Sequence, residues 1–214
     1  MDDFFSSKLE RAAAISRLLR ARRYLRRVGV GRAERIWSST PRVELAVLFT
    51  LAAELPSNAI ALEIGSYYGA SSCFLAAGLA RHGGRLICVD TWQNETMGEG
   101  ESDTFVTFQQ NIAGLRTKVE TIRKSSLDLV DSDLPEKLDF VFLDGDHSYD
   151  AVHSDMTLIG PHIVPNGIVA FHDAQTFQGV ARMIGEVLVT GEWRIGGTFQ
   201  NLFWIRKAAF PKND

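Results

Sequence analysis

The chain has 214 residues, 45% of them hydrophobic, and a formal net charge of −3. That length supplies one sizeable core, the charge gives no general reason to expect nucleic acid, and no run reaches the roughly 18 apolar residues of a membrane span. The acidic amino terminus MDDFFSSKLER lacks a signal-peptide apolar region, so a cytoplasmic protein without membrane insertion is expected.

Ala12, Ile15, Leu18, Leu19, Leu25 and Val28 recur at helical spacing among arginines, predicting a basic amphipathic helix over residues 8–28. Eleven of the 23 Lys and Arg residues fall between Lys8 and Arg42, and a solvated basic face is their simplest reading. Thr40 and Pro41 read as the N-cap and first residue of a second helix that ends at Leu55. Residues 1–57 therefore form an expected helical appendage, and 58–214 the main domain. From there strands are predicted at 59–64, 85–90, 118–123, 139–144 and 167–172, and helices at 70–82, 103–114, 126–131, 149–160 and 176–189. Two strand-like runs, 192–198 and 201–207, follow without a helix between them. The expected fold is α/β: a Rossmann-like, doubly wound, seven-stranded sheet, mostly parallel with one antiparallel strand and helices on both faces. Cys73 falls in a helical pattern and Cys88 in a strand pattern, as small core residues and not as a disulfide or metal pair.

The first strand runs into LEIGSYYGAS. Gly65 and Gly69 bracket a turn whose backbone can approach a ligand without a Cβ in the way. The middle glycine of a dinucleotide fingerprint is missing, which argues against a dehydrogenase. The second strand ends on Asp90, about 20 residues past the turn, where a carboxylate can accept the hydroxyls of a ribose.

The pattern E-I-G-S-Y-x-G-x-S followed by strand-terminal Asp90 resembles class I S-adenosylmethionine-dependent methyltransferases, in particular the metal-dependent O-methyltransferases of small molecules. The resemblance implies S-adenosylmethionine as cofactor, cradled by Glu63, Gly65, Tyr67, Gly69 and Ser71, with Asp90 on the ribose and Ser126 of KSSLD on the adenine. A serine before a short helix is equally an N-cap.

DFVFLDGDHSYD, residues 139–150, leaves the core on a strand and sets down Asp144, Asp146 and His147. The resemblance makes Asp144 a catalytic residue and a metal ligand, joined by His172 and Asp173 of GIVAFHDAQ. Mg²⁺ is the expected ion, with Mn²⁺ as the alternative, because an imidazole at His172 departs from an all-oxygen set. His147 falls where the resembled enzymes carry a lysine base, and its ordinary pKa of about 6.5 suits that task. The plain alternative is a turn in which Asp146 and Ser148 cap the next helix. His82, His153 and His162 read as structural. TWQNETMGEGES, residues 91–102, is an expected lid, in which Trp92 either stacks on the ligand or packs beneath the loop.

FLDGDHSYDAV together with FHD looks like the sugar-modifying and antibiotic-tailoring branch of these enzymes, which extends to methylmannose polysaccharide synthesis. The implied partner is a small-molecule hydroxyl acceptor, a saccharide by preference, with no nucleic acid partner and a homodimer by family habit. The alternatives are a cephalosporin-hydroxylase-like or phenol-tailoring enzyme of the same fold, and a non-catalytic methyltransferase-like scaffold.

Overall fold

A computed structural model of the protein describes residues 2–94, 100 and 102–209. Seven strands form one sheet in the order β3-β2-β1-β4-β5-β7-β6. They are β1 (Ile60–Ile64), β2 (Arg85–Asp90), β3 (Lys118–Arg123), β4 (Leu138–Leu143), β5 (Ile163–Phe171), β6 (Trp193–Phe199) and β7 (Leu202–Lys207). The first five pair in parallel, and β7 runs antiparallel to both β5 and β6. The expected sheet, with one reversed strand, is the observed one.

Alternation along the strands builds two cores. Phe140 and Phe142 of β4 enter a cluster with the helices α2 (Arg42–Ala53) and α3 (Ala70–Leu79), while Val141 and Leu143 enter another with α5 (Tyr149–Ile159) and α6 (Gln178–Val189). Both faces are covered, so the parallel strands read as continuous apolar runs and not as alternating ones. α1 (Asp2–Arg27) and α4 (Phe105–Ile112) complete the first layer. α2 shares that core outright: Leu45, Leu48 and Phe49 are fully buried, and each such side chain contributes about 1.5–3 kcal/mol by leaving water.

Several boundaries move for local reasons. β5 begins at Ile163, four residues before the expected start, with a register shift against β4 accommodating Pro165 and the positive φ of Asn166. The expected helix at 126–131 is two separate 3₁₀ turns, Ser126–Asp128 and Asp131–Asp133, the first capped by Ser125. Thr40 does not cap α2: the helix starts at Arg42, and the Thr40 hydroxyl donates instead to Asp144 Oδ2 at 3.3 Å. Cys73 and Cys88 are buried free thiols. Among the described residues no helix is long and apolar enough to cross a membrane.

Candidate active site

The order of strands reverses between β1 and β4, the position at which doubly wound sheets open a crevice beyond their carboxyl ends. A cavity of about 680 Å³ lies there, lined by the turns after β1, β2, β3 and β4. Gly65, Tyr67, Ser71, Asp90, Ser126, Asp144 and His147 all border it. Four separate stretches of sequence thus meet because parallel strands end on one rim.

Asp90 holds the first turn shut. Its Oδ2 accepts the backbone N–H groups of Ser66 and Tyr67, each at 2.8 Å, and its Oδ1 accepts that of Trp92 at 2.6 Å. These bonds fix Tyr67 and Trp92 at φ values of 45° and 53°, a left-handed region that costs non-glycine residues of order 1–3 kcal/mol.

Glu63, expected among the cofactor's contacts, is fully buried beneath this turn and does not line the cavity. It accepts the hydroxyls of Ser66 and Ser72 and the thiol of Cys88. Burial drives its carboxyl above the usual range despite those donors. It supports the turn from below. Gly69 likewise lies off the cavity, in left-handed conformation as the N-cap of α3. Gly65 has a reason beyond ligand approach: a Cβ there would sit 2.2 Å from the carbonyl oxygen of Asp144, on backbone already at φ +87°. Gly65→Ala is expected to cost about 2–4 kcal/mol and to push the Asp144 turn out of place; chemical denaturation would register it, and an unchanged midpoint would refute the contact.

Trp92 packs under its loop. It is fully buried against Phe105 and Phe108, with Nε1 donating to the Tyr67 carbonyl at 3.0 Å, so it does not stack on a ligand. Residues 95–99 and 101 of the expected lid lie outside the described residues.

Ser126 borders the cavity, on a 3₁₀ turn packed against α5, which carries the buried Asp155. Burial pushes the Asp155 carboxyl up to about 6, with Ser126 pulling down and Asp146 adding to the rise. The folded pKa exceeds the unfolded value of about 3.9, so the folded protein keeps this proton longer as pH rises. The contribution is fully present below about pH 4 and is lost as pH climbs through about 6. Asp155→Asn should therefore stabilise the protein by up to about 3 kcal/mol at pH 8 and change little at pH 4. Urea unfolding at the two pH values checks this, and an equal effect at both would remove ionisation as the cause.

The second half of the site gathers around Asp144. Asp144 Oδ1 lies 3.0 Å from His172 Nδ1 and 3.6 Å from His147 Nε2, and Asp173 Oδ2 lies 3.5 Å and 4.0 Å from the same two nitrogens. Neither nitrogen has a hydrogen-bond partner although both are buried. One ligand atom each from Asp144, His147 and His172 falls within 4.8 Å of the others. Atoms sharing one ion through bonds of about 2.0–2.6 Å sit roughly 3–4 Å apart, so the residues present fit a divalent cation. Burial opposes charge on both Asp144 and His172, yet their mutual attraction prevails: His147 and His172 hold the Asp144 carboxyl below the usual range, and Asp144, Glu44 and Asp173 push His172 up to about 10. Asp173 takes φ 55°, another left-handed residue on this rim.

The turn expected of Asp146 and Ser148 is also present. Asp146 Oδ1 accepts the Ser148 N–H at 2.8 Å, and the Ser148 hydroxyl caps α5 by accepting from Ala151. His147 sits at its apex with its ring stacked on Phe177, centroids 4.6 Å apart. Gly179 in the first turn of α6 holds that apex in place, since a Cβ there would come within 2.8 Å of the His147 carbonyl oxygen. His162 is structural, between the Pro135 carbonyl and Asp131.

Three residues of the site went unread in the sequence, Trp37 and Glu44 before β1 and Phe177 after β5, and Thr40 was read only as a helix cap. Glu44 carried a signal, as the lone carboxylate in the apolar run VELAVLF; an acid in a first helical turn passes too easily as a partner for the helix dipole.

A nucleoside-sized cavity with its carboxylate at the second strand, on a sheet whose seventh strand is reversed, defines a Rossmann-like methyltransferase. A family model described as a methyltransferase domain matches residues 62–174. The chain belongs to that family and is an S-adenosylmethionine-dependent methyltransferase. Among solved structures, the O-methyltransferase TomG of tomaymycin synthesis from Streptomyces achromogenes, in complex with S-adenosylmethionine, shares 20% identity over 87% of this chain and 90% of its own, with TM-score 0.63. A Podospora anserina methyltransferase bound to S-adenosylhomocysteine shares 12% over 98% and 97%, with TM-score 0.64. The TDP-rhamnose 3'-O-methyltransferase of calicheamicin biosynthesis shares 15% over 77% of each chain, with TM-score 0.56. At these identities the likeness is one of fold. A search of curated proteins returned no match.

Proposed function

We propose that the protein transfers the methyl group of S-adenosylmethionine to a hydroxyl of a small molecule, a saccharide by preference, with the help of a divalent cation. The observation that carries this reading is the meeting, on one cavity, of the Gly65–Asp90 cofactor turn with Asp144 and His147, whose ligand atoms lie within 4.8 Å of that of the buried His172 behind them. Asp144, His172 and Asp173 would hold the cation, which when bound supplies Lewis-acid polarisation of the acceptor hydroxyl.

The chain's own groups do the rest. His147 Nε2 faces the cluster with no hydrogen-bond partner and takes the acceptor's proton. The acceptor oxygen then forms its bond to the methyl carbon as the carbon–sulfur bond breaks, releasing S-adenosylhomocysteine. Alignment of oxygen, carbon and sulfur is where much of the acceleration arises. The preference for a sugar is supported by two partly exposed aromatic residues bordering the cavity, Trp37 at 50% and Phe177 at 43%, which offer flat apolar faces. The rhamnose-modifying structural neighbour points the same way.

Transfer of labelled methyl to a panel of mono- and disaccharides, with Mg²⁺, with Mn²⁺ or with EDTA, tests the reading. Metal-dependent labelling of one sugar is expected. Cofactor binding without any labelled sugar would overturn the acceptor class, and labelling undiminished by EDTA would overturn the role of the ion.

A further inference from the structure

Glu44 takes no part in the chemistry above, yet it is a carboxylate 1% exposed in the apolar core. Burying such a group costs several kcal/mol unless its oxygens are occupied. Its Oε1 accepts the backbone N–H of Asn201 at 3.1 Å, and its Oε2 lies 2.9 Å from His172 Nε2. An acceptor at that distance requires Nε2 to carry a proton, because two lone pairs would otherwise face each other. Nδ1 is then the nitrogen left for a ligand. It faces Asp144 Oδ1 at 3.0 Å and Asp173 Oδ2 at 3.5 Å, an ion-pair spacing in which a bound cation would take the place of the Nδ1 proton. His172 is itself only 3% exposed, so it cannot turn to reach another partner.

We propose that Glu44 is a positioning residue that commits His172 to metal ligation through Nδ1, and that the imidazole so fixed makes the site prefer Mn²⁺ or Co²⁺ over Mg²⁺. The proposal rests on the metal-assisted reading of the same site. Mg²⁺ favours oxygen donors in a strict octahedron and gains little from a ring nitrogen, whereas divalent transition ions gain more from imidazole, Co²⁺ more than Mn²⁺ in the order of their affinities. A carboxylate behind a ligating histidine orients the ring and raises its basicity, and losing such a partner costs 10–100-fold in metal affinity. Glu44 reaches the site from a helix that precedes the whole sheet, so α2 is coupled to the ion as well as to the core.

The test uses the full chain stripped with EDTA. Binding of Mn²⁺ and Mg²⁺ is measured by calorimetry, and that of Co²⁺ by its visible absorption. The wild type should bind Mn²⁺ and Co²⁺ tighter than Mg²⁺ by an order of magnitude or more. Glu44→Gln, which cannot accept from both His172 and Asn201, should weaken Mn²⁺ and Co²⁺ by about 10–100-fold with S-adenosylmethionine affinity unchanged. His172→Asp, which supplies an oxygen in place of the ring, should bring Mg²⁺ and Mn²⁺ within about tenfold, and decides the matter should the Gln variant not fold. Equal affinity for Mg²⁺ and Mn²⁺ in the wild type, or an ion preference unmoved by His172→Asp, would overturn the proposal. Methyl transfer is scored separately: the expected ion preference without transfer would overturn the function and leave the ligand assignment standing.

Discussion

His147→Ala is expected to bind S-adenosylmethionine normally and to lose about 10²–10⁴ in turnover. The groups bonded to Asp90 are the N–H groups of Ser66, Tyr67 and Trp92, so removal of the ring leaves those bonds untouched. It takes away a buried nitrogen that faces Asp144 at 3.6 Å and Asp173 at 4.0 Å with no hydrogen-bond partner of its own. Stacking on Phe177 holds the plane of the ring. Single-turnover methyl transfer, calorimetry with the cofactor and titration with the metal separate the possible roles. Near-normal turnover would end the role as base. A parallel loss of metal affinity would make His147 a ligand, a role its place within 4.8 Å of the other donors also permits.

Asp90→Asn should weaken S-adenosylmethionine binding by about 10²-fold, corresponding to about 2.7 kcal/mol, and lower thermal stability as well. The substitution is nearly isosteric, but one of two accepting oxygens becomes an amide that donates. Three backbone N–H groups converge on the native carboxylate. At least one would face the amide unpaired, a loss of about 1–3 kcal/mol per buried donor, and the charge that strengthens the remaining bonds would be gone. The left-handed conformations of Tyr67 and Trp92 would lose the contacts that sustain them. Calorimetric titration and a thermal melt read the two effects apart. A fall in stability with unchanged cofactor affinity would restrict Asp90 to holding the turn.

The strand ends were the legible part of the site. Phe140 to Leu143 are apolar, residues 144–148 are not, and a parallel sheet delivers the end of every strand to the same rim. Asp90, Asp144, His147, His172 and Asp173 could therefore be placed together before any coordinates, with the metal and base roles coming from the family resemblance. Less legible was what each group faces. Gly65 and Glu63 read alike as cofactor residues, yet the first is required by the backbone of the turn after β4 and the second is sealed beneath the turn after β1. Trp92 suited either of two roles equally, and only the rings of Phe105 and Phe108 around it exclude the stacking one.

The sequence by itself determined the alternation of strands and helices, the reversed last strand and the residues along the rim, because periodicity and glycine placement are local properties of the chain. Tertiary structure alone decided the partners. Thr40 and Asp144 are 104 residues apart, and Glu44 and His172 are 128 apart. Helical spacing records that one face of α2 is apolar, but not which strand end that face will meet. That pairing is set by how α2 packs beside α3 over one face of the sheet, where a carboxylate is tolerable only because an imidazole and a backbone N–H reach it.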